Sequence, residues 1–398
     1  MHRLASNVLG TAVVCLAACA ALSAQETTEE PDRQIDPAAH VSVPLTEKDR
    51  AAEWGLENRA TADTRAASVK KYGGTPASEA AVTGGLRWLA AAQVDDGGWN
   101  FDHRLARDAD VRDVDHSGTL TSARNAATAM ALLPFLGSGQ THADGDYKQT
   151  VTDGLTYLTQ RIKDSGSLHE SGGTMYSHGL ASIALCEAYA LSRDKKLLPP
   201  AQAALKFIEY AQDPAGGGWR YSPRQRGDTS VTGWQLMALQ SGRIADLQVS
   251  PATFRRVNEF LDSVQAGNGA YYGYTTPSKR GPTSAIGLLC RMHLGWSRDR
   301  AALKQGVEYL SAQGPSNTNM YYNYYATQIM FQVGGEHWDK WNSRMRDYLV
   351  DTQDKSGPEE GSWYFADTHS AARGGRIYST SLATMILEVY YRHPRIYE

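Results

Sequence analysis

The sequence predicts an all-α protein, an α/α toroid whose six helix pairs form an inner and an outer ring. The first observation behind this is a recurrence. An apolar helix that ends in glutamine, usually followed by a glycine turn and an aromatic side chain, returns six times. Two copies are strong: Gly85-Leu86-Arg87-Trp88-Leu89 runs to Gln93 with Gly97, Gly98 and Trp99 behind it, and a second helix ends at Gln212 with Gly216, Gly217, Gly218 and Trp219. Weaker copies end at Gln160, at Gln265 before Gly269 and Tyr271, at Gln313 before Tyr321, and at Gln353 before Gly361 and Trp363. A period of roughly 40 to 67 residues marks stacked units, because one helical pair cannot bury its apolar face without neighbours. The second observation is an alternation between helices with one clean polar face and helices that are apolar almost all round, which must be buried. The third is the small residues on the apolar kind, among them Ala126, Ala127, Gly179, Ala181, Gly233, Gly287, Ala326 and Ala383. They let backbones crowd together, as an inner ring requires.

Residues 1–24 read as an export signal, with Arg3 in a short basic head and a small-residue apolar run over 8–22. Leu16-Ala17-Ala18-Cys19 resembles a bacterial lipobox, which would attach the chain to a membrane through a lipidated Cys19. Cleavage after Ala24 and simple secretion is the other reading. Either way the expected location is the periplasm, the cell envelope or the exterior. Residues 25–44 are acidic, proline-bearing and poor in large apolar groups, the composition of a flexible tether. Residues 45–75 have helical character and form an N-terminal cap, and the toroid occupies 76–398.

Within the toroid the first glutamine helix leads to Gln93, and the later outer helices are expected over 146–161, 200–212, 251–265, 299–313 and 339–353. The inner helices are expected over 122–136, 177–191, 229–240, 283–294, 324–333 and 378–391. Glycine after each glutamine tolerates the positive φ at which an outer helix ends and the chain reverses. Every connection from outer to inner helix then emerges at one end of the ring, so the starts of six inner helices share one cavity mouth.

At 398 residues and 41% hydrophobic composition the chain can build one large core. Lysine and arginine number 40 against 43 acids, scattered through amphipathic segments, so a nucleic-acid partner is excluded. Cys186 and Cys290 lie in apolar helical runs and read as buried thiols. The expected partner is an apolar small molecule or a glycan. No G-x-S-x-G, P-loop or His-Glu-x-x-His pattern occurs.

The candidate site residues cluster at inner-helix starts. Asp228 precedes Thr229-Ser230-Val231 and either caps that helix or faces the cavity as acid or base. His178 occupies a similar point one repeat earlier, as a proton shuttle or a hydrogen-bonded structural histidine. Tyr321, Tyr322, Tyr324 and Tyr325 enter the fifth inner helix. With Tyr176, Trp234 and Tyr378 they offer an aromatic lining that stabilises a cation, stacks on a sugar, or packs the core. Arg373, Arg376 and His369 lie around a glycine-bearing loop, Ala372-Arg373-Gly374-Gly375-Arg376, and either bind an anionic group or remain solvated charges. Asp115 and His116 read as a metal or acid-base pair, or as a polar loop.

The segments from Gly85 to Trp99 and from Ala204 to Trp219 resemble the QW motif of the prenyltransferase and squalene-oxidase repeat, shared by terpene cyclases and protein prenyltransferase β subunits. The resemblance covers roughly residue 76 to the C-terminus and implies an α/α toroid in which the glutamine and the aromatic tie one turn to the next. Terpene cyclases of the squalene type protonate an alkene with an acid in a D-x-D-D motif; the nearest approach here is Asp113-Val114-Asp115-His116, with histidine in the fourth place. Prenyltransferases hold zinc with an aspartate, a cysteine two residues later and a histidine. Asp228 matches the first, whereas Ser230 and Ser379 stand in the other two places, so no zinc and no other cofactor is expected. The resemblance thus implies an apolar or isoprenoid-like ligand in the central cavity, with acid-base chemistry at Asp228. A polysaccharide lyase or hydrolase on an α/α barrel and a non-catalytic envelope module are the alternatives.

Overall fold

A computed structural model describes residues 53–366 and 370–397. The expectations for the export segment, for Cys19, for the tether and for His369 lie outside these residues. Two cap helices, α1 (Glu53–Ala60) and α2 (Ala62–Tyr72), come first. Six outer-inner pairs follow: α3 (Pro76–Ala91) with α5 (Arg124–Gly137), a short α4 (Ala109–Arg112) lying between them; α6 (Lys148–Thr159) with α7 (Thr174–Ser192); and α8 (Leu198–Ala211) with α9 (Thr229–Ile244). The last three pairs are α10 (Pro251–Val264) with α11 (Gly281–His293), α12 (Ala301–Gln313) with α13 (Met320–Val333), and α14 (Gly335–Thr352) with α15 (Ala371–Leu387), before the terminal α16 (Val389–Arg392).

The inner ring closes. Helix α5 packs on α7, α7 on α9, α9 on α11, α11 on α13, α13 on α15, and α15 returns to α5. The two helix types separate by burial as their patterns require. Helix α10 buries Thr253, Val257, Phe260, Leu261 and Val264, one stripe at helical spacing, whereas α13 is buried continuously from Met320 to Gln332. Helix α13 begins at Met320, a full turn before the expected 324, because Asn319 caps it by accepting from the Tyr322 amide at 2.8 Å. The segment around Arg373 is likewise the first turn of α15 rather than a loop, with a break at Gly375 (φ 56°).

One device recurs in all six repeats. A glycine at positive φ reverses the chain after each outer helix: Gly97, Gly166, Gly217, Gly269, Gly314 and Gly361. Two or three residues later a backbone N–H donates to a side chain in the first turns of the next inner helix. The pairs are Trp99 to Thr128, Leu168 to His178, Trp219 to Thr232, Tyr272 to Ser284, Ser316 to Asn323 and Trp363 to Thr380, all within 2.8–3.1 Å. In three repeats the glutamine completes the joint. Gln93 Nε2 donates to the carbonyls of Gly97 and Thr150, Gln212 Nε2 to Gly217 and Thr253, and Gln353 Nε2 to Gly361 and Ala81. Each binds its own turn to the start of the next outer helix, and Gln353 thereby ties the sixth repeat to the first. The indoles of Trp99, Trp219 and Trp363 donate back to Leu89, Ile208 and Leu349 at 2.7–2.8 Å.

The far end of the ring is shut by charge. Glu187 of α7 accepts from Arg59 of α1 at 2.8 Å and from Arg392 of α16 at 3.1 Å, while Glu388 accepts from Arg392 at 3.0 Å and from Ser138 at 2.8 Å. Burial raises the Glu187 carboxyl, but Arg392 and Arg59 outweigh it and hold it below the ordinary value. Burial pushes Glu388 up to about 8 even beside Arg392.

Candidate functional site

The open end of the ring holds a cavity of ≈ 40 Å³ at the inner-helix starts. Helix α5 supplies Ala126 and Met130, α7 supplies Tyr176 and Leu180, α9 supplies Trp234, α13 supplies Tyr321, and α15 supplies Arg373 and Tyr378; Phe101 and Leu120 close it from the connecting loop. Ala126 and Tyr176 lie in the first turn of their helices, with Met130 and Leu180 four residues further in. The helical period therefore sets one apolar layer beneath another. The volume is room for about three waters and less than the ~150 Å³ that admits benzene. Below it, Trp234 stacks on Tyr324 at 5.5 Å between ring centroids and meets Tyr325 edge-on at 5.7 Å. Burial pushes the Tyr324 hydroxyl up to about 12 and Tyr325 well above its ordinary value, so these rings stay neutral.

Of the expected site residues, the structure brings Tyr176, Trp234, Tyr321, Tyr378 and Arg373 together around this cavity. The Arg373 backbone is fixed from the facing loop: Leu120 N–H donates to the Arg373 carbonyl at 3.0 Å, Thr119 N–H to Ala372 at 3.1 Å, and Arg376 N–H to His116 at 3.2 Å. Gly375 is required there, since a Cβ would stand 2.3 Å from the Gly118 nitrogen at a φ that L side chains rarely adopt. Asp115 and His116 serve this clamp with their carbonyls, and the His116 ring stacks on Tyr364 at 3.9 Å.

The other expected residues lie elsewhere. Arg376 is engaged by the Asp115 carbonyl at 3.0 Å, by Ser362 at 2.9 Å and by Asp354 at 2.5 Å, which closes it to an incoming anion. Tyr322 turns toward the outer ring, donating to Leu310 and Gly314 and meeting Trp341 edge-on. Tyr324 lies beneath Trp234 and outside the lining. His178 sits one turn inside α7, in the repeat position of Thr232 rather than of Asp228. Its Nδ1 accepts from Leu168 and its Nε2 faces the Ala204 carbonyl at 3.1 Å, so the bonds assign the Nε2–H tautomer. Burial drives it down to about 3, which keeps it neutral. Both nitrogens are spent on backbone, and a shuttle role has no free atom to use.

Asp228 is the N-cap of α9, with Oδ1 accepting from Val231 N–H at 2.8 Å. Its Oδ2 accepts from Tyr274 Oη at 3.0 Å, Arg220 Nε stands 3.7 Å away, and burial lifts the carboxyl to about 6. Tyr274 in turn shares a 2.6 Å hydrogen bond with Tyr221, whose ring lies 6.3 Å from Tyr176. This hydroxyl pair was not foreseen in the sequence, because the partners come from different repeats. Glu170 was also missed: it accepts from Ser177 Oγ at 2.6 Å and from the amides of Asn125 and Ala126, capping α5 from the neighbouring repeat. Met130 and Leu180 carried a usable signal, since each lies at i+4 from a lining residue.

With this geometry in place, comparison with known proteins identifies the architecture. The profile of the squalene-hopene cyclase C-terminal domain matches residues 58–279, more than half of the chain. The chain belongs to this family. A search of curated proteins finds no match. Among solved structures, the cyclase-family fold seen here is similar to an inactive variant of an alpha-1,6-mannanase from a Salegentibacter species in complex with alpha-1,6-mannotriose (8% identity, TM-score 0.54, 78% of this chain and 98% of that one). It is similar to a cellobiose 2-epimerase from Bacillus thermoamylovorans (14%, TM-score 0.56, 77% and 95%). A third similar structure is a variant type II terpene cyclase from Scytonema in complex with its substrate geranylgeranyl dihydroxybenzoate (13%, TM-score 0.52, 80% and 98%). At such identities these likenesses establish the α/α toroid shared by members of the squalene-hopene cyclase family and by glycan enzymes, and nothing finer.

Proposed function

We propose that this chain binds an apolar or isoprenoid-like ligand at the mouth of its inner ring. The observation that carries the reading is the lining itself. Met130, Leu180, Trp234, Phe101 and Leu120 present carbon, and the tyrosines add aromatic rings. Such a surface gains about 25 cal/mol per Å² of apolar area it removes from water. The family profile supports the same ligand class, as does the terpene cyclase in complex with geranylgeranyl dihydroxybenzoate. The closed cavity takes the end of a chain, and a longer body requires the rim to open.

Asp228 serves this reading as a positioning residue. Its carboxylate holds α9, and hence Trp234, in place, and it connects toward the cavity side through Tyr274 and Tyr221. A glycan-cleaving reading needs two carboxyl groups flanking a sugar site. Among the described residues no carboxylate lines the cavity. The test is native mass spectrometry of the protein purified from its own cells, followed by solvent extraction. A retained apolar molecule that is lost in Met130→Trp, a substitution that fills the cavity, is the expected result. A retained glycan, or an apolar molecule retained equally by the filled variant, overturns the reading.

A further inference from the structure

The rim of the closed cavity includes an exposed strap. Residues 115–122 run between two buried anchors: Val114, whose carbonyl meets His103 Nε2 at 2.8 Å, and Ala123 at the start of α5. Asp115, His116, Thr119, Thr121 and Ser122 face solvent, while the half-buried Leu120 belongs to the lining. Across a seam lies the first turn of α15, set off from the rest of that helix by the Gly375 break. Backbone bonds from Thr119 to Ala372, from Leu120 to Arg373 and from Arg376 to His116 close the seam, and the His116 ring is stacked on Tyr364. Both sides are bent into the left-handed region where they meet, His116 at φ 67° and Gly375 at φ 56°. That conformation is uncommon for a residue with a Cβ and persists where neighbouring contacts hold it. The helical walls are unlike the strap. Helix α7 is buried continuously from Thr174 to Ala188 and α13 from Met320 to Gln332, so moving either exposes core.

We propose that residues 115–122 are the gate of the cavity: the ligand enters when the backbone seam between Thr119–Leu120 and Ala372–Arg373 parts and the His116 ring leaves Tyr364. This deepens the proposed binding function and rests on it, since a hydrocarbon longer than the closed cavity needs an opening in the rim. Local opening costs least where backbone hydrogen bonds are exposed and little apolar surface is buried. Parting the seam withdraws Leu120 from the lining and hands the freed N–H and carbonyl groups to water, which replaces their hydrogen bonds. Release of His116 from its left-handed conformation offsets part of the lost stacking. Val114 and Ala123 stay in the core, so the movement ends at the two anchors.

The test uses the full-length protein, two variants and two readouts. Thr119→Cys combined with Ala372→Cys, bridged by a short bifunctional thiol reagent that dithiothreitol removes, ties the strap to α15; Tyr364→Ala takes away the ring under His116. Uptake of bromo-octanol, followed by stopped-flow quenching of tryptophan fluorescence, should slow about tenfold or more in the bridged protein and recover on reduction. In Tyr364→Ala it should quicken about threefold, the effect of one lost aromatic pair. Without ligand, the Thr119 and Leu120 amides should exchange with deuterium about a hundredfold or more faster than those of Trp219 and Trp363, whose joints open only with the ring. Uptake at the wild-type rate in the bridged protein or in Y364A, or equal protection of the four amides, overturns the gate and leaves the apolar pocket standing. Failure of wild type to take up the probe overturns the pocket reading, and the inference falls with it.

Discussion

Asp228 shows how one side chain reconciles two demands. A carboxyl in a dry site costs free energy when ionised, yet the start of α9 and the Tyr274 hydroxyl reward the charge. Burial wins, and the folded pKa stands at about 6 against an ordinary 3.8. For an acid with a raised folded pKa, the folded state binds the proton more tightly than the unfolded chain. The stabilisation is therefore complete below the unfolded value and is lost as pH rises through the folded one. A gap of about two pKa units sets an upper bound of about 3 kcal/mol. Asp228→Asn keeps a capping oxygen and removes the titration. Urea unfolding should show D228N gaining about 2–3 kcal/mol on wild type between pH 4 and pH 7; a constant difference across that range contradicts the assignment. The sequence alone could name Asp228 as a helix cap or as an acid. It could not decide between them, because Tyr274 reaches it from the next repeat.

At the scale of the element, the joint between outer and inner helix explains what was legible. The strong copies at Gln93 and Gln212 were readable because glutamine, glycine and tryptophan fall at close spacing, whereas Gln353 makes the same bonds across a longer turn to Trp363 and looked degraded. Gln160 and Gln313 are exposed and their joints rest on the amide acceptors. Those acceptors are threonine, histidine, serine and asparagine, chemically different groups doing one task, so no motif reveals them. His178 drew notice for its type when its role was its register. Arg373 was legible as a charge, but its place on α15 depended on backbone pairing with residues about 250 positions earlier. Gln212→Ala should lower stability by about 1–3 kcal/mol, because it strands the buried carbonyls of Gly217 and Thr253. Gln160→Ala should change it by less than about 0.5 kcal/mol. Equal losses in chemical denaturation would refute the distinction.

For the whole molecule, closure is the governing fact. Gln353 sews the last turn to Ala81 of the first outer helix, and α1 and α16 meet across the floor through Arg59, Glu187, Arg392 and Glu388. Residues more than three hundred positions apart make that floor, which is why composition and periodicity gave the ring but not its seal. Arg59→Met leaves Glu187 with one guanidinium instead of two in a dry setting. It should cost about 3–5 kcal/mol, the usual penalty for breaking a buried charge network from one side, read as an earlier urea midpoint. No loss would mean that the cap contributes nothing to closure. With the floor sealed, the mouth is the end left for a ligand, and its carbon lining is the central claim. The most direct measurement is a crystal structure under xenon pressure, since xenon enters dry apolar cavities and avoids wet polar ones. Xenon density is expected between Met130, Leu180 and Trp234; ordered, hydrogen-bonded waters filling that space with no xenon would show a wet, polar mouth instead.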